Sequence, residues 1–214
     1  HILMSGGNVK LGAPVITTTS YMYGIFNSQL VIGNTNFNKM ISNARNALNV
    51  PKTAGQRIYV EMEGQYRLLT MPSLFEIGFN YVRWMYKTES DTIIVTNYTG
   101  AHTTEVSMNV RSTSGKAYRY LVTNQITMNV NEYEYPLHMM QDGNTLVFKA
   151  DPKAISVGTY PDLQYRMSVE GASMNAGDET LLASGIRSGS ASLVTLSLEE
   201  SAEWTLKVQG VLEG

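Results

Sequence analysis

Thr92-Ile93-Ile94-Val95-Thr96-Asn97-Tyr98-Thr99 decides the fold class. Side chains branched at Cβ are restricted at χ1 and crowd a helix, but they pack well on a pleated surface, so this run reads as a strand. Its apolar centre shows no polar alternation, which predicts a strand covered on both faces. On either side the chain switches to a period of two. Ile58, Val60 and Met62 alternate with Arg57, Tyr59 and Glu61, and Val106, Met108 and Val110 alternate with Ser107 and Asn109. That pattern puts one face on a core and the other in water. Further strand-like runs cover 118–126, 146–150, 163–169, 193–198 and 204–208. Turn-forming residues separate them at Ser114-Gly115, Asp142-Gly143-Asn144, Tyr160-Pro161-Asp162 and Gly171. Asp142-Gly143 between two strands is a hairpin signal. So many strands without intervening helices predict an all-β, antiparallel sandwich.

One segment departs from that period. Phe37, Met40, Ile41, Ala44 and Leu48 fall on one face of a helix, with Asn36 as N-cap and Pro51 as a stop. One short amphipathic helix is therefore expected near 37–48, packed on the sheet. The stretch 170–189 is rich in Gly, Ser and Ala and reads as a loop before the last strands, or as a hinge.

The 214 residues suit one large β domain. Residues 1–14 read as a flexible N-terminal segment or an expression scar, and 15–214 as a single β-sandwich domain. Hydrophobic residues make up 43% and charged residues only 16%, as expected of a surface that something else partly covers. The formal charge is −2 and the basic residues are scattered, most densely over 111–119. That excludes the concentrated basic surface of a nucleic-acid binder. No run approaches the ~20 apolar residues of a membrane span. Cysteine is absent, which removes disulfides, thiolate metal sites and cysteine nucleophiles, and fits a cytoplasmic protein. The chain starts without an initiator Met and stops just beyond the strand-like Trp204-Thr205-Leu206-Lys207-Val208, so it reads as a fragment of a larger chain.

Catalytic constellations are missing. Glu61 and Glu63 share a strand face, as do Glu132 and Glu134, a spacing that glycosidic cleavage permits. Both pairs read more simply as exposed glutamates beside turns. Of the histidines His1, His102 and His138, no two have metal-site spacing, so no metal ligand set is expected. Ser188-Gly189-Ser190 lacks the pattern of a nucleophile turn. Gly33-Asn34-Thr35-Asn36-Phe37 matches no phosphate-binding loop, and no cofactor motif appears. Asn97-Tyr98-Thr99 is a glycosylation sequon inside a strand and reads as incidental. The aromatics say more: 13 tyrosines against 5 phenylalanines, with Tyr21, Tyr23, Tyr81, Trp84, Tyr86 and Tyr98 in the first half. Such rings pair an apolar face with a hydrogen-bonding edge, which suits sugars, interfaces and cores alike.

Several long strings carry a resemblance. They are Ser20-Tyr21-Met22-Tyr23-Gly24-Ile25-Phe26-Asn27-Ser28-Gln29, Gly33-Asn34-Thr35-Asn36-Phe37-Asn38, Leu48-Asn49-Val50 and Gly55-Gln56-Arg57-Ile58. Tyr66-Arg67-Leu68-Leu69, Phe79-Asn80-Tyr81, Val122-Thr123-Asn124-Gln125 and Leu163-Gln164-Tyr165-Arg166-Met167 continue them. Together they resemble the N-terminal region of the cellobiose-phosphorylase-like family (glycoside hydrolase family 94), especially its 1,2-β-oligoglucan phosphorylases. The resemblance covers most of 15–170. It implies a β-super-sandwich of the galactose-mutarotase-like type, followed in the parent by a helical linker and an (α/α)6 barrel. That barrel carries the general acid and the phosphate site for inverting phosphorolysis of β-glucosides to glucose 1-phosphate. None of its motifs is present, so no catalytic residue carries over. The resemblance also implies packing against the barrel and homodimer contacts.

Three functional readings follow. The first is a non-catalytic scaffold and interface domain of an inverting glucan phosphorylase. The second is a free-standing carbohydrate-binding module. The third is an aldose-epimerase-like enzyme, for which His138 with Glu132 or Glu134 is the only candidate pair. If a β-glucan oligosaccharide touches this domain, the expected contacts are Tyr21, Tyr23, Arg57, Trp84 and Tyr86.

Overall fold

The alternating strands pair antiparallel throughout the computed structural model, which describes residues 16–32, 40–41, 55–100, 103–128, 137–189 and 193–212. The larger sheet has eight strands. Their spatial order is β10 (Leu137–Asp142), β11 (Thr145–Ala150), β12 (Leu163–Glu170), β15 (Glu203–Leu212), β8 (Glu105–Ser112), β7 (Thr92–Thr99), β6 (Tyr81–Lys87) and β5 (Leu74–Ile77). The smaller sheet runs β13 (Met174–Gly177), β14 (Leu193–Ser201), β9 (Tyr118–Gln125), β3 (Gln56–Met62) and β4 (Gln65–Leu68). A separate hairpin joins β1 (Ile16–Tyr21) to β2 (Ile25–Ile32).

Local alternation becomes the core. Along β12, Leu163, Tyr165, Met167 and Val169 are buried, and along β15 so are Trp204, Leu206 and Val208. Trp204 meets Tyr120 of β9 edge-on at 5.3 Å, one of the contacts that join the layers. The expected hairpin forms at Gly143-Asn144, with Asp142 opposite Thr145 and Gly143 at φ 56°.

β2 is buried along its length except at half-buried Gln29, and it touches both sheets. Phe26 packs edge-on against Trp84 of the larger sheet, while the Asn27 amide bonds Gln56 of the smaller one. A chain of side-chain amides crosses the interior from there. Asn97 Nδ2 donates to Phe26 O and to Asn27 Oδ1; Asn27 Nδ2 donates to Gln56 Oε1. Gln56 Nε2 then donates to Asn124 Oδ1 at 2.7 Å, and Asn124 Nδ2 to Val194 O at 3.1 Å. Such pairing offsets the cost of burying amides, although Asn97 Oδ1 has no hydrogen-bond partner among the described residues.

One expectation needs correction, and a second falls mostly outside the described residues. The Thr92–Thr99 run is not covered on both faces throughout. Ile93, Val95 and Asn97 face the core, but on the outer face only Ile94 is buried, and Tyr98 is exposed, with no described residue covering that end of the strand. The helix expected near 37–48 lies outside the described residues except at Met40 and Ile41, and those two are not helical. Ile41 bridges Ile126, and Met40 accepts from Thr127 N and donates to Leu30 O. Both are fully buried, so their backbone groups are satisfied by neighbouring strand segments instead of by a helical turn. The short helix that is described, α1, spans Ile155–Thr159. Residues 1–14 also lie outside the described set.

Candidate functional site

The five aromatic and basic candidates come together around the tip of the β1–β2 hairpin. Gly24 turns the chain there at φ 74°, and a Cβ in its place would lie 2.1 Å from Leu69 O. Only glycine allows that approach, which presses the Tyr21-Met22-Tyr23 turn against the segment leading into β5. Trp84 is fully buried between Phe26 and Phe75, at 4.9 and 5.5 Å, and its indole N–H donates to Tyr21 O at 3.2 Å. Tyr86 is buried beside it and donates to Thr70 O at 3.1 Å.

Arg57 rises from β3 into the same region. Its side chain is fully buried, its guanidinium donates to Tyr23 O at 3.4 Å, and Cζ lies 5.9 Å from the Tyr23 ring centroid. Burial lowers the Arg57 pKa, and the phenol groups of Tyr59, Tyr23 and Tyr86 oppose that shift. Burial also pushes the Tyr86 hydroxyl well above its ordinary value. The phenol therefore stays protonated and keeps its bond to Thr70. Only the outer members of the cluster reach solvent: Tyr21 is 46% and Tyr23 39% exposed, with Met22 between them. The arrangement is an exposed aromatic tip on a buried Arg–Trp–Tyr base, fit for stacking or docking.

The acid–base pairs read from the sequence are described only in part. His138 sits exposed on the edge strand β10, 3.8 Å from Asp151, while Glu132 and Glu134 lie outside the described residues, as do His1 and His102. Glu63 occupies the β3–β4 turn at φ 55° and pairs with Arg67 at 2.8 Å. No group of three or more metal-ligating side chains occurs among the described residues. Asn97 of the sequon is buried, its amide committed to Phe26 and Asn27.

One carboxylate missed by sequence reasoning organises an end of the sandwich. Asp91, nearly buried, accepts from Thr92 N at 2.7 Å, Ser114 Oγ at 2.6 Å, Ser114 N at 3.1 Å, Thr113 Oγ1 at 3.2 Å and Tyr118 Oη at 2.8 Å. Burial alone would raise its pKa, but these hydrogen bonds together outweigh burial and hold it well below the usual carboxylate range. Burial and the Asp91 hydrogen bond push the Tyr118 hydroxyl up to about 12. With the folded pKa depressed, the stabilisation is present above the unfolded value of roughly 4 and fades as pH falls through the folded one. Asp91→Asn should cost about 1.5–3 kcal/mol near neutrality. Thermal melts from pH 7 down to pH 3 should show a shallower acid decline for the variant. Parallel profiles would show that Asp91 does not carry the linkage.

Residues 1–210 match the family model described as the glycoside phosphorylase supersandwich domain. A 1,2-beta-oligoglucan phosphorylase of Listeria innocua serovar 6a is 39% identical over 212 residues, spanning 99% of this chain and 19% of that protein. This chain thus spans about a fifth of the relative's length. Among solved structures, a polysaccharide lyase superposes with TM-score 0.53 at 10% identity, covering 96% of this chain and 34% of the lyase. A bacterial glucoamylase complexed with acarbose gives TM-score 0.51 at 9% identity, covering 99% and 34%. At such identities these two matches speak for the sandwich alone. No helix among the described residues is long and apolar enough to cross a membrane. With a family model aligned along almost its whole length, the chain belongs to the glycoside phosphorylase supersandwich domain family.

Proposed function

We propose that this chain is the non-catalytic N-terminal scaffold and interface domain of an inverting glucan phosphorylase, whose parent converts β-glucan and phosphate to glucose 1-phosphate. The carrying observation is the mismatch of coverage: the likeness to the Listeria phosphorylase fills 99% of this chain but only 19% of that protein. In this reading 15–214 form one galactose-mutarotase-like sandwich of the cellobiose-phosphorylase-like type, with 1–14 as a lead-in. Its partners are an (α/α)6 barrel of the same parent and a second copy in a homodimer. The cysteine-free composition supports a cytoplasmic setting.

The test measures phosphate release from glucose 1-phosphate with a β-1,2-glucan acceptor, for this chain and for the full parent. The parent should turn over and this chain should not. Turnover by the 214 residues alone, or an inactive parent, would overturn the reading.

The exposed Tyr21 and Tyr23, backed by Arg57, Trp84 and Tyr86, favour a second reading as a free-standing carbohydrate-binding module. Tryptophan emission should then change on titration with β-glucan and stop changing in Tyr23→Ala. A flat response at millimolar sugar counts against it.

A further inference from the structure

Away from the aromatic tip, an open cleft of about 1170 Å³ lies at one end of the sandwich. The β3–β4 and β6–β7 turns rim it, together with the two crossovers that carry the chain from β8 to β9 and from β14 to β15. None of Tyr21, Tyr23, Arg57, Trp84 and Tyr86 lines it, and Arg57 and Glu61 stand four residues apart along β3, about 13 Å at the rise of a strand. The volume exceeds the ~300–1,000 Å³ of most small-molecule pockets and leaves room for several sugar units.

The lining has a particular charge pattern. Four carboxylates and four cations share it, so it has no net formal charge. Glu63 pairs with Arg67 at 2.8 Å, and Glu200 with Arg119 at 3.6 Å. Glu61, Lys87 and Glu89 have no ion-pair partner among the described residues, and Lys116 lies over the Tyr118 ring at 5.0 Å. The rim is held in place. Asp91 ties the β6–β7 turn to Ser114 and Tyr118, Ser112 Oγ donates to Lys116 O at 2.7 Å, and Ser112 N to Ala202 O at 2.9 Å.

A ligand of one sign gains no net field from such a lining. A neutral polyol fits it, because each hydroxyl donates to a carboxylate and accepts from an ammonium, and hydrogen bonds to charged groups are the stronger kind. We propose that this cleft binds a stretch of neutral oligosaccharide, holding a glucan chain at a point distinct from the aromatic tip. The proposal rests on the glucan-phosphorylase reading only for its choice of sugar.

The test is a titration of the ¹⁵N-labelled 214-residue chain with β-1,2-linked gluco-oligosaccharides, with β-1,4-linked ones in parallel, at low and high salt. Saturable amide shifts are expected in the turns at 63–64, 88–90 and 114–117, with little salt dependence, as suits an uncharged ligand. Lys87→Ala, Glu89→Gln and Lys116→Ala, all at exposed positions, should each weaken binding roughly tenfold at unchanged melting temperature. Tyr23→Ala should leave these shifts intact. Absence of shifts with either sugar overturns the proposal, as do shifts confined to 21–24 that Tyr23→Ala abolishes. Shifts at the cleft turns with the β-1,4 series alone support the cleft and count against the β-1,2-glucan reading. Turnover by the parent is read independently of all of these.

Discussion

Trp84→Ala is expected to destabilise the domain by about 3–5 kcal/mol, the range for truncating a fully buried tryptophan. The indole has no exposed surface, and it fills the angle between Phe26 on the hairpin and Phe75 on the edge strand β5. Removing it leaves a void that the sheet cannot close, because β6 is paired on both sides, to β5 and to β7. It also deletes the donor to Tyr21 O. For a domain of this size the melting temperature should fall by roughly 6–20 °C. The same indole seats the Tyr21–Tyr23 turn, so limited proteolysis of the variant should cut there first. Trp84→Phe, which retains a ring, should recover much of the loss. A Trp84→Ala melt within ~1 kcal/mol of the parent would mean that the hairpin is not anchored by this ring.

Asn27→Leu should cost about 1–3 kcal/mol although it is nearly isosteric. Asn27 is buried at the centre of the amide chain. Its Oδ1 accepts from Thr18 Oγ1 at 2.8 Å and Asn97 Nδ2 at 3.2 Å, and its Nδ2 serves Gln56. Leucine strands Gln56 Oε1 in the interior, whereas Asn97 Nδ2 keeps Phe26 O and the half-buried Thr18 hydroxyl can turn to water; a buried group left unpaired costs ~1–3 kcal/mol. The chain cannot relax by turning its amides over. Backbone carbonyls stand at both ends, Phe26 O facing Asn97 and Val194 O facing Asn124, so each terminal amide must present N–H. Asn27→Asp sharpens the test. A buried carboxylate facing Gln56 Oε1 has its pKa raised, so the protonated acid, which can still donate, is the form that fits. The unfolded chain releases that proton first, so the variant should lose stability as pH rises above roughly 4 and approach the parent as pH falls. Chemical denaturation at pH 4 and pH 7 reads the difference. An Asn27→Asp deficit that does not change with pH would place Asn27 outside such a chain.

The strands at 57–62, 106–110, 118–126, 146–150, 163–169, 193–198 and 204–208 were legible in the amino-acid order alone, and so was the turn at Gly143. The pattern that marks them is local: apolar and polar residues alternate at the period of the pleat itself. Short elements such as β4 and β5, four residues each, leave too little pattern to read. Met40 and Ile41 matched a helical stripe, yet Ile41 bridges Ile126 and Met40 bonds Leu30 and Thr127, because a period of three to four also fits a few buried residues between sheets.

Which polar residues lie inside was not written in the chain. Asn27, Gln56, Asn97 and Asn124 look like surface amides one at a time, and only the pairing of distant strands makes them partners. Tyr21 and Trp84, 63 residues apart, meet for the same reason, as do the turns around the charged cleft. Alternation tells a strand which of its faces is apolar, through side chains two residues apart. The identity of the neighbour across that face depends on how sheets close over one another, an energy shared by the whole core and carried by no single segment.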